Sequence, residues 1–384
     1  MKFLQCLEGF NNYDDSRKVL ESHGLIVKDY SKYGMYLIKY NKDKSNMVNT
    51  DVQKCRGVVM TLDNRILCVP PSKSIDINYF MESVDNFTSI EFEEFIDGTM
   101  IQMFYFNDKW NLSTRSSIGA NGRWHSKKRF SELFEEASAN LQKDKLEIDT
   151  CYTFVLNHPE NQIVKKYEES NIVLVKATKI VGDDINNISL DDIDIGVDKP
   201  KKFQFTDLDD AMKTCYQMNY DEQGLVLKYN KDGVQIRSKI RNPKYNNAKM
   251  LRGNSNNLKF QFLELRQQGF LNKYLELFPQ YADEFDRYRN ELFAVTDNLF
   301  NCYKALHVCK PKANIQQIPF EYRPLCYDLH GMYMKTGNIT TFARVKNFIN
   351  TMDTARLLFV INYKLRDNKG KGKGDVNNQT EVSS

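Results

Sequence analysis

Short apolar runs of β type, separated by Gly, Asn and Asp, follow one another through the first part of the chain. The runs cover residues 25–27, 35–40, 57–60, 65–69, 100–106, 110–115, 152–156, 172–176, 224–229 and 234–239. Apolar residues at helical spacing interrupt this pattern twice, at 126–142 and at 207–218. Because the runs are joined by turn residues rather than by regular helices, they predict an antiparallel α+β domain and not a βαβ repeat.

The chain after Pro243 changes to long stretches rich in Leu, Phe and Tyr that have helical spacing. They cover residues 260–268, 271–277, 282–306, 322–333, 341–350 and 354–363. A length of 384 residues exceeds one typical core. We therefore predict a first domain over residues 1–240, an all-helical C-terminal domain over 241–366, and a disordered tail over 367–384, where Lys alternates with Gly.

Composition narrows the class of protein only a little. The 54 basic and 50 acidic residues give a net charge of +4, which permits a nucleic-acid partner without arguing for one. The eight cysteines form no Cys-x-x-Cys pair and lie in apolar stretches, as reduced thiols do in a cytosol-like compartment. No apolar run is long enough to cross a bilayer, so we expect a cytoplasmic protein with no membrane partner.

Taken alone, the segment from Phe92 to Phe106 predicts a hairpin with Asp97-Gly98 as its turn. It stands in an ordered series of short motifs, which are Cys55-Arg56-Gly57-Val58, Pro71-Ser72-Lys73-Ser74, the Asp97-Gly98 segment, residues 110–115, Tyr152-Thr153-Phe154-Val155 with Asn161-Gln162-Ile163-Val164, Gln223-Gly224-Leu225-Val226-Leu227-Lys228, and Gln235-Ile236-Arg237-Ser238-Lys239. The series resembles the phage RNA ligase family of the T-even tRNA-repair type, a branch of the lysine nucleotidyltransferases, over about residues 52–249. With the Asn-, Lys- and Ile-heavy composition, the resemblance implies a large DNA virus as the source.

The resemblance implies a nucleotide pocket formed by antiparallel strands. It also implies a reaction for which this chain lacks several of the family's residues. In the family, a motif lysine attacks the α-phosphate of ATP with Mg²⁺, and the adenylate then passes to an RNA 5′-phosphate. Phe95 stands in the place of that lysine and has no nucleophilic atom. Gln223 replaces the glutamate of the metal-binding motif, and Thr153 replaces a glutamate that contacts ribose. These three changes predict a degenerate site with no catalytic residue and no metal.

Other positions match residues that the family turns toward phosphate and ribose. The predicted nucleotide- or RNA-binding residues are Arg56, Lys73, Asp97, Gly98, Arg115, Phe154, Arg237 and Lys239. Arg237 and Lys239 fall on one face of their strand because side chains alternate with a period of two. Each basic residue also has an ordinary interpretation as a solvated or ion-paired strand residue.

The function predicted from these observations is that of a non-enzyme, a pseudoenzyme that binds a nucleotide or an RNA 5′ end, including a capped one. It would require no cofactor and would hold ATP or another nucleotide without covalent chemistry. One alternative is an active ATP-dependent RNA ligase that uses another lysine, with Lys73 as the candidate. Another is an adaptor subunit of a viral RNA-processing, transcription or translation complex, with the helical domain as the surface for a protein partner. The expected location is the host cytoplasm or a viral factory.

Overall fold

The computed structural model describes residues 4–124, 126–231, 233–255 and 257–363. The predicted disordered tail at 367–384 lies outside these residues. The chain divides into two compact units, one ending at Arg252 and the other beginning at Gly253. No helix in the described part of the chain is long and apolar enough to span a membrane.

The strands of the first unit form three antiparallel sheets. Their bounds are β1 Leu25–Tyr30, β2 Met35–Tyr40, β3 Arg56–Thr61, β4 Ile66–Cys68, β5 Glu91–Glu94, β6 Thr99–Phe106, β7 Lys109–Thr114, β8 Ser117–Ile118, β9 Thr150–Asn157, β10 Asn171–Val181, β11 Asp184–Ile188, β12 Lys202–Phe203, β13 Gly224–Lys231 and β14 Val234–Arg241. The strand orders are β1-β2-β3-β4, β11-β10-β9-β6-β7-β8 and β12-β5-β13-β14. We refer to them as the first, second and third sheets.

Helices lie between the strands of the first unit and make up the regular structure of the second. In the first unit they are α1 Tyr13–Ser22, α2 Thr50–Lys54, α3 Ile77–Glu82, α4 Phe130–Ala137, α5 Leu208–Gln217 and α6 Pro243–Arg252. In the second they are α7 Leu258–Gln268, α8 Leu271–Leu277, α9 Ala282–His307, α10 Arg323–Thr336, α11 Phe342–Thr351 and α12 Thr354–Ile361. The predicted fold class, antiparallel sheets followed by a helical region, is confirmed.

Side-chain caps fix where several helices begin. The oxygen of the residue before the helix accepts a hydrogen bond from a backbone N–H of the first turn, which has no partner inside the helix. The capping residues include Asn12 for α1, Asp207 for α5, Thr341 for α11 and Asp353 for α12. Helix α4 is shorter than the predicted 126–142, and its first two residues, Phe130 and Ser131, donate their backbone N–H groups to the carbonyl oxygens of Gly122 and Ala120.

Each sheet buries an apolar face of its own. The second sheet packs Ile101, Phe154 and Leu174 against Leu133 of α4. Separate clusters lie under the first and third sheets. A further cluster that includes Leu37, from the first sheet, joins it to the second. The third sheet therefore has a hydrophobic core of its own, separate from that of the second sheet.

The segment around Asp97-Gly98 is a crossover between two sheets and not the turn of a hairpin, so the hairpin prediction is wrong. Strand β5 pairs with β12 and β13 in the third sheet, whereas β6 pairs with β7 and β9 in the second. Phe95 continues the β5 side by donating its N–H to the Gly224 carbonyl at 2.9 Å. The crossover therefore brings Phe95 and Asp97 to the space between the two sheets.

Gly98 allows the crossover to lie directly on β9. Its φ is +153°, and a Cβ at this position would lie 2.5 Å from the Leu156 carbonyl oxygen and 2.7 Å from Val155 Cγ1. Since no side chain fits at these distances, this position requires glycine.

Helix α6 packs with the first unit, which explains why the structure divides at Arg252 and not near residue 240, where the sequence pattern changes. The Tyr245 hydroxyl of this helix donates to Asp97 Oδ1 at 2.7 Å. A change in residue pattern marks where helices start, but a packed contact of this kind decides the unit to which a helix belongs.

We expect Gly98→Ala to lower the free energy of unfolding by roughly 1–3 kcal/mol more than Gly182→Ala, because the new methyl group overlaps the β9 backbone. Gly182 is the matched control, since its φ is also positive at +60° and a Cβ there meets nothing within 4 Å. Urea unfolding followed by circular dichroism measures both. Equal losses in the two variants would contradict the steric account.

Candidate functional site

A cavity of about 290 Å³ opens between the third sheet and the crossover, against β9 and β10 of the second sheet. Its ionisable lining consists of seven basic residues, Arg56, Lys176, Lys228, Arg237, Lys239, Arg241 and Lys249, and three carboxylates, Glu93, Glu94 and Asp97. Phe95 and Gln223 also line it. The excess of basic residues would favour an anionic ligand in this pocket.

Two of the three carboxylates are already paired. Glu93 Oε2 lies 2.6 Å from Lys228 Nζ in an ion pair whose side chains are only 5% and 12% exposed. Asp97 is 3% exposed, and its Oδ2 accepts the backbone N–H groups of Val164 and Lys165 at 3.0 and 2.8 Å. Glu94 forms neither an ion pair nor a side-chain hydrogen bond with the described residues, so its carboxylate is available to a ligand.

Strand β14 supplies the cations at the centre of the pocket. Residues at alternate positions of a strand share a face, and Arg237, Lys239 and Arg241 all line the cavity. Removal from water, followed by repulsion from Arg56, lowers the pKa of Arg237 to about 10. Arg237 Nε is buried without a hydrogen-bond partner in the described residues. A bound oxyanion would satisfy this donor and reduce the repulsion.

Lys239 lies against the ring of Phe95, the residue that the sequence resemblance sets at the position of the family's lysine. Its Nζ is 3.7 Å from the centroid of the Phe95 ring, and the Arg241 guanidinium carbon is 5.5 Å from the same centroid. Desolvation, followed by repulsion from Arg237, Arg56, Arg241 and Lys249, lowers the pKa of Lys239 to about 5. The Lys239 side chain is therefore a neutral amine at physiological pH, which is the nucleophilic form.

Lys176 of β10 is a second perturbed amine in the pocket wall. Desolvation lowers its pKa to about 8, although the nearby thiol of Cys151 acts in the opposite direction. Cys151 and Cys68 face each other with their sulfur atoms 3.2 Å apart. Nothing in the local sequence distinguishes Lys176, because its environment comes from several strands that are far apart in the chain.

The structure brings some of the predicted site residues together and leaves others outside. Those that line the pocket are Arg56, Asp97, Gly98, Arg237 and Lys239, with the substituted positions Phe95 and Gln223. Those that do not line it are Lys73, Arg115, Phe154 and Thr153. Phe154 is 0% exposed and packs on Phe134, since strand alternation turns it away from the pocket that its neighbour Val155 lines. Lys73 donates its backbone N–H to Gln53 outside the pocket lining.

Several residues that line the pocket were not predicted from the sequence. Lys228 was not among the predicted site residues, although it pairs with Glu93 across adjacent strands. Arg241 could have been found, since it continues the period-two series of Arg237 and Lys239. Glu93 and Glu94 could not, because the hairpin prediction assigned β5 to the wrong sheet.

The fold and the pocket define an α+β protein with a cavity lined mainly by basic residues, and the sequence comparisons narrow the class of protein. No protein-family model matches the chain. A putative bifunctional polynucleotide kinase/RNA ligase of Autographa californica nuclear polyhedrosis virus is 23% identical over 370 residues, covering 86% of this chain and 51% of the relative. An immediate-early protein ICP-46 homolog of Invertebrate iridescent virus 3 is 27% identical over 228 residues, covering 56% of this chain and 49% of the relative.

An RNA ligase of Rhodothermus phage RM378 is 33% identical over 94 residues, covering 21% of each chain. Among solved structures, an archaeal ATP-dependent RNA ligase aligns with a TM-score of 0.41 and 10% identity, covering 98% of this chain and 83% of that one. The chain spans about half the length of the first two relatives. These relatives confirm the predicted resemblance to RNA ligase-like nucleotidyltransferases and its setting in large DNA viruses.

The prediction that the chain is not an enzyme is wrong. Two of the relatives carry the names of enzymes, an RNA ligase and a polynucleotide kinase/RNA ligase. The prediction treated the absence of an amine at Phe95 as the absence of any amine from the pocket. The structure places the amine of Lys239 3.7 Å from the centroid of the Phe95 ring, and desolvation lowers the pKa of this amine to about 5.

In the protein without nucleotide, we expect the Lys239 amine to titrate near pH 5, because the pocket removes it from water among four other cations. Reductive methylation with ¹³C-formaldehyde followed by an NMR pH titration measures this pKa. Lys239→Arg identifies the resonance by its disappearance. A value near that of a free lysine, about 10.4, would contradict the description of the site.

The same shift predicts how stability depends on pH. Since the folded pKa of Lys239 is about 5 and the unfolded value is about 10.4, the unfolded chain binds more protons at this residue between those limits. The free energy of unfolding of the natural protein, relative to Lys239→Met, should therefore rise as pH increases through this window. Urea unfolding of both proteins at several pH values tests the sign, and a difference that falls with pH would contradict it.

Proposed function

We propose that this chain is an ATP-dependent RNA-joining nucleotidyltransferase in which Lys239 carries the nucleotide. The observation that carries the proposal is the position of Lys239 Nζ, 3.7 Å from the centroid of the ring that replaces the family's lysine. The viral relative named as a polynucleotide kinase/RNA ligase supports the same class of reaction.

The first step would transfer a nucleotide to the amine. The nitrogen lone pair of Lys239 attacks the α-phosphorus of ATP, a P–N bond forms, and the bond from that phosphorus to the bridging oxygen breaks. Pyrophosphate leaves with the electron pair, and the amine proton passes to solvent. The lowered pKa of Lys239 supports this role, because the amine needs no base to become nucleophilic at neutral pH.

The second step would transfer the nucleotide to RNA. An oxygen of the RNA 5′-phosphate attacks the same phosphorus, and the P–N bond breaks. The amine leaves with the electron pair of that bond and takes up a proton. The RNA end then carries AMP joined to its 5′-phosphate through a pyrophosphate bond. A 3′-hydroxyl attacks the phosphorus of that 5′-phosphate, the new phosphodiester forms, and AMP leaves.

The arginines beside Lys239 would hold the phosphates during both steps. Arg56, Arg237 and Arg241 line the same cavity, and guanidinium groups match phosphate oxygens in pairs of hydrogen bonds. The free Nε of Arg237 is one such donor. Because these groups are fixed before the reaction, they stabilise charge on the transferred phosphate without rearranging.

One carboxylate in the pocket fits a magnesium ion. Mg²⁺ in nucleotide sites is held by phosphate oxygens and one or two carboxylates. Glu93 and Asp97 are committed to Lys228 and to backbone N–H groups, and Gln223 offers only a neutral amide. Glu94 would therefore hold the ion, which supplies neutralisation of phosphate charge when bound.

We expect the natural protein to become covalently labelled when incubated with α-³²P-ATP and Mg²⁺ or Mn²⁺, and Lys239→Arg to reduce that label to background. Arginine keeps a long side chain with hydrogen-bond donors at this position but is not a nucleophile. Denaturing gel electrophoresis measures the label, and an RNA oligonucleotide with a 5′-phosphate should then remove it from the protein. GTP in place of ATP tests the choice of nucleotide.

Lys73→Arg is the matched control, because Lys73 was the lysine named from sequence and does not line the pocket. Its label should equal that of the natural protein. Loss of label in Lys73→Arg with full label in Lys239→Arg would assign the nucleophile to Lys73. Absence of label in the natural protein with either nucleotide would overturn the proposed reaction.

We also expect Glu94→Gln to need a higher Mg²⁺ concentration for half-maximal labelling, because an amide binds this ion poorly. Glu91→Gln is the control, since Glu91 lies on the same strand but is exposed and does not line the pocket. A metal dependence that is the same in both variants would remove Glu94 from the proposed site.

A further inference from the structure

A second group of cations lies on the first sheet and on the turn that follows β7. Lys28 of β1 donates from Nζ to the Ser116 carbonyl oxygen at 2.6 Å, and Lys39 of β2 donates from Nζ to Ser116 Oγ at 3.2 Å. The guanidinium carbon of Arg115 lies 4.5 Å from the centroid of the Tyr40 ring. We call Lys28, Lys39 and Arg115 the Ser116 cluster, because they meet around this residue.

The charges of the Ser116 cluster are not neutralised by the described protein. No carboxylate of the described residues forms an ion pair with Lys28, Lys39 or Arg115. Asp29, next in sequence to Lys28, alternates to the other face of the strand, where it accepts the N–H of Ser31 at 2.6 Å.

The cluster also has an unused hydrogen-bond donor and internal repulsion. Arg115 Nε is buried and has no partner among the residues that the structure describes. Burial, followed by repulsion from Lys28 and Arg115, lowers the pKa of Lys39. Positive charges that are held together in this way gain free energy when an anion binds between them.

The Ser116 cluster adjoins the nucleotide pocket through Arg56. Lys39 is the register partner of Arg56 across β2 and β3. A Cβ on Gly57, whose φ is +104°, would lie 2.9 Å from Arg115 Cα, so glycine lets the two backbones touch beside Arg56. Arg56 lines the pocket, but none of the three cluster residues does. The cluster is therefore a separate anion site at the edge of the first one.

We propose that Lys28, Lys39 and Arg115 bind backbone phosphates of a single RNA strand whose 5′ end lies in the pocket. The proposal rests on the proposed function, which places that 5′ end beside Lys239. A single strand carries one phosphate per nucleotide, so an end held in the pocket brings its next phosphates to neighbouring cations. The phosphate tail of ATP has the same chemistry, and the experiment separates the two sources.

The experiment measures binding of a short 5′-phosphorylated single-stranded RNA, labelled with a fluorophore at its 3′ end, by anisotropy over a range of salt concentrations. The test variant is Lys28→Gln/Lys39→Gln, in which each glutamine keeps a donor for Ser116 but loses the charge. The control is Lys32→Gln/Lys109→Gln, which removes the same charge from exposed positions. Thermal unfolding of both variants checks that the fold is intact.

We expect the test variant to bind this RNA about tenfold more weakly than the natural protein, with a salt slope smaller by about 1.4. The slope follows from roughly 0.7 for each lysine that neutralises a phosphate on a single strand. The control should remain within about twofold. Equal losses in the two variants, or no RNA binding by the natural protein, would overturn the proposal.

The second part of the experiment measures covalent labelling of the same proteins with α-³²P-ATP. Unchanged labelling in Lys28→Gln/Lys39→Gln with weakened RNA binding supports the RNA assignment. Weakened labelling with unchanged RNA binding would assign the cluster to the ATP tail and overturn it. If the natural protein is not labelled but its RNA affinity depends on the cluster, the proposed reaction fails and the RNA site stands.

Discussion

The buried carboxylate of Asp97 is the interaction on which the site depends. A charged group this deeply buried destabilises a protein by several kcal/mol unless hydrogen bonds replace its water, roughly in the range known for unpaired buried charges. Here Val164 and Lys165 donate backbone N–H groups and Tyr245 donates its hydroxyl. These bonds join the crossover, the loop after β9 and helix α6. The walls of the pocket are therefore fixed relative to one another by a single side chain.

The basic residues of the pocket lower the pKa of Lys239 and would also favour an anionic ligand. Arg56, Arg237 and Arg241 would share the negative charge of a phosphate, so no one of them must neutralise it alone. Without a ligand, the same groups repel a proton from Lys239, and the Phe95 ring excludes water from one side of the amine. The Phe95 ring thus has a chemical consequence for its neighbour Lys239.

The spacing of apolar and basic side chains along the sequence explains which features could be predicted from it. The helices from residue 258 onward agree closely with the predicted stretches. The 3.6-residue spacing of apolar positions is visible within each short stretch of sequence. The shared face of Arg237 and Lys239 followed from the period of two in a strand. The hairpin at Asp97-Gly98 was wrong because the partner of a strand depends on distant residues, and a turn-like dipeptide does not specify it.

The sequence by itself determined the fold class and the order of the motifs, and its resemblance to the ligase family put Phe95 at the position of that family's lysine. Tertiary structure alone decided that β5 joins β13, that Lys228 is buried against Glu93, and that an amine occupies the face of the Phe95 ring. The physical reason is that burial and electrostatic repulsion act through space. A lysine in a strand has an ordinary pKa until the fold removes its water and places arginines around it.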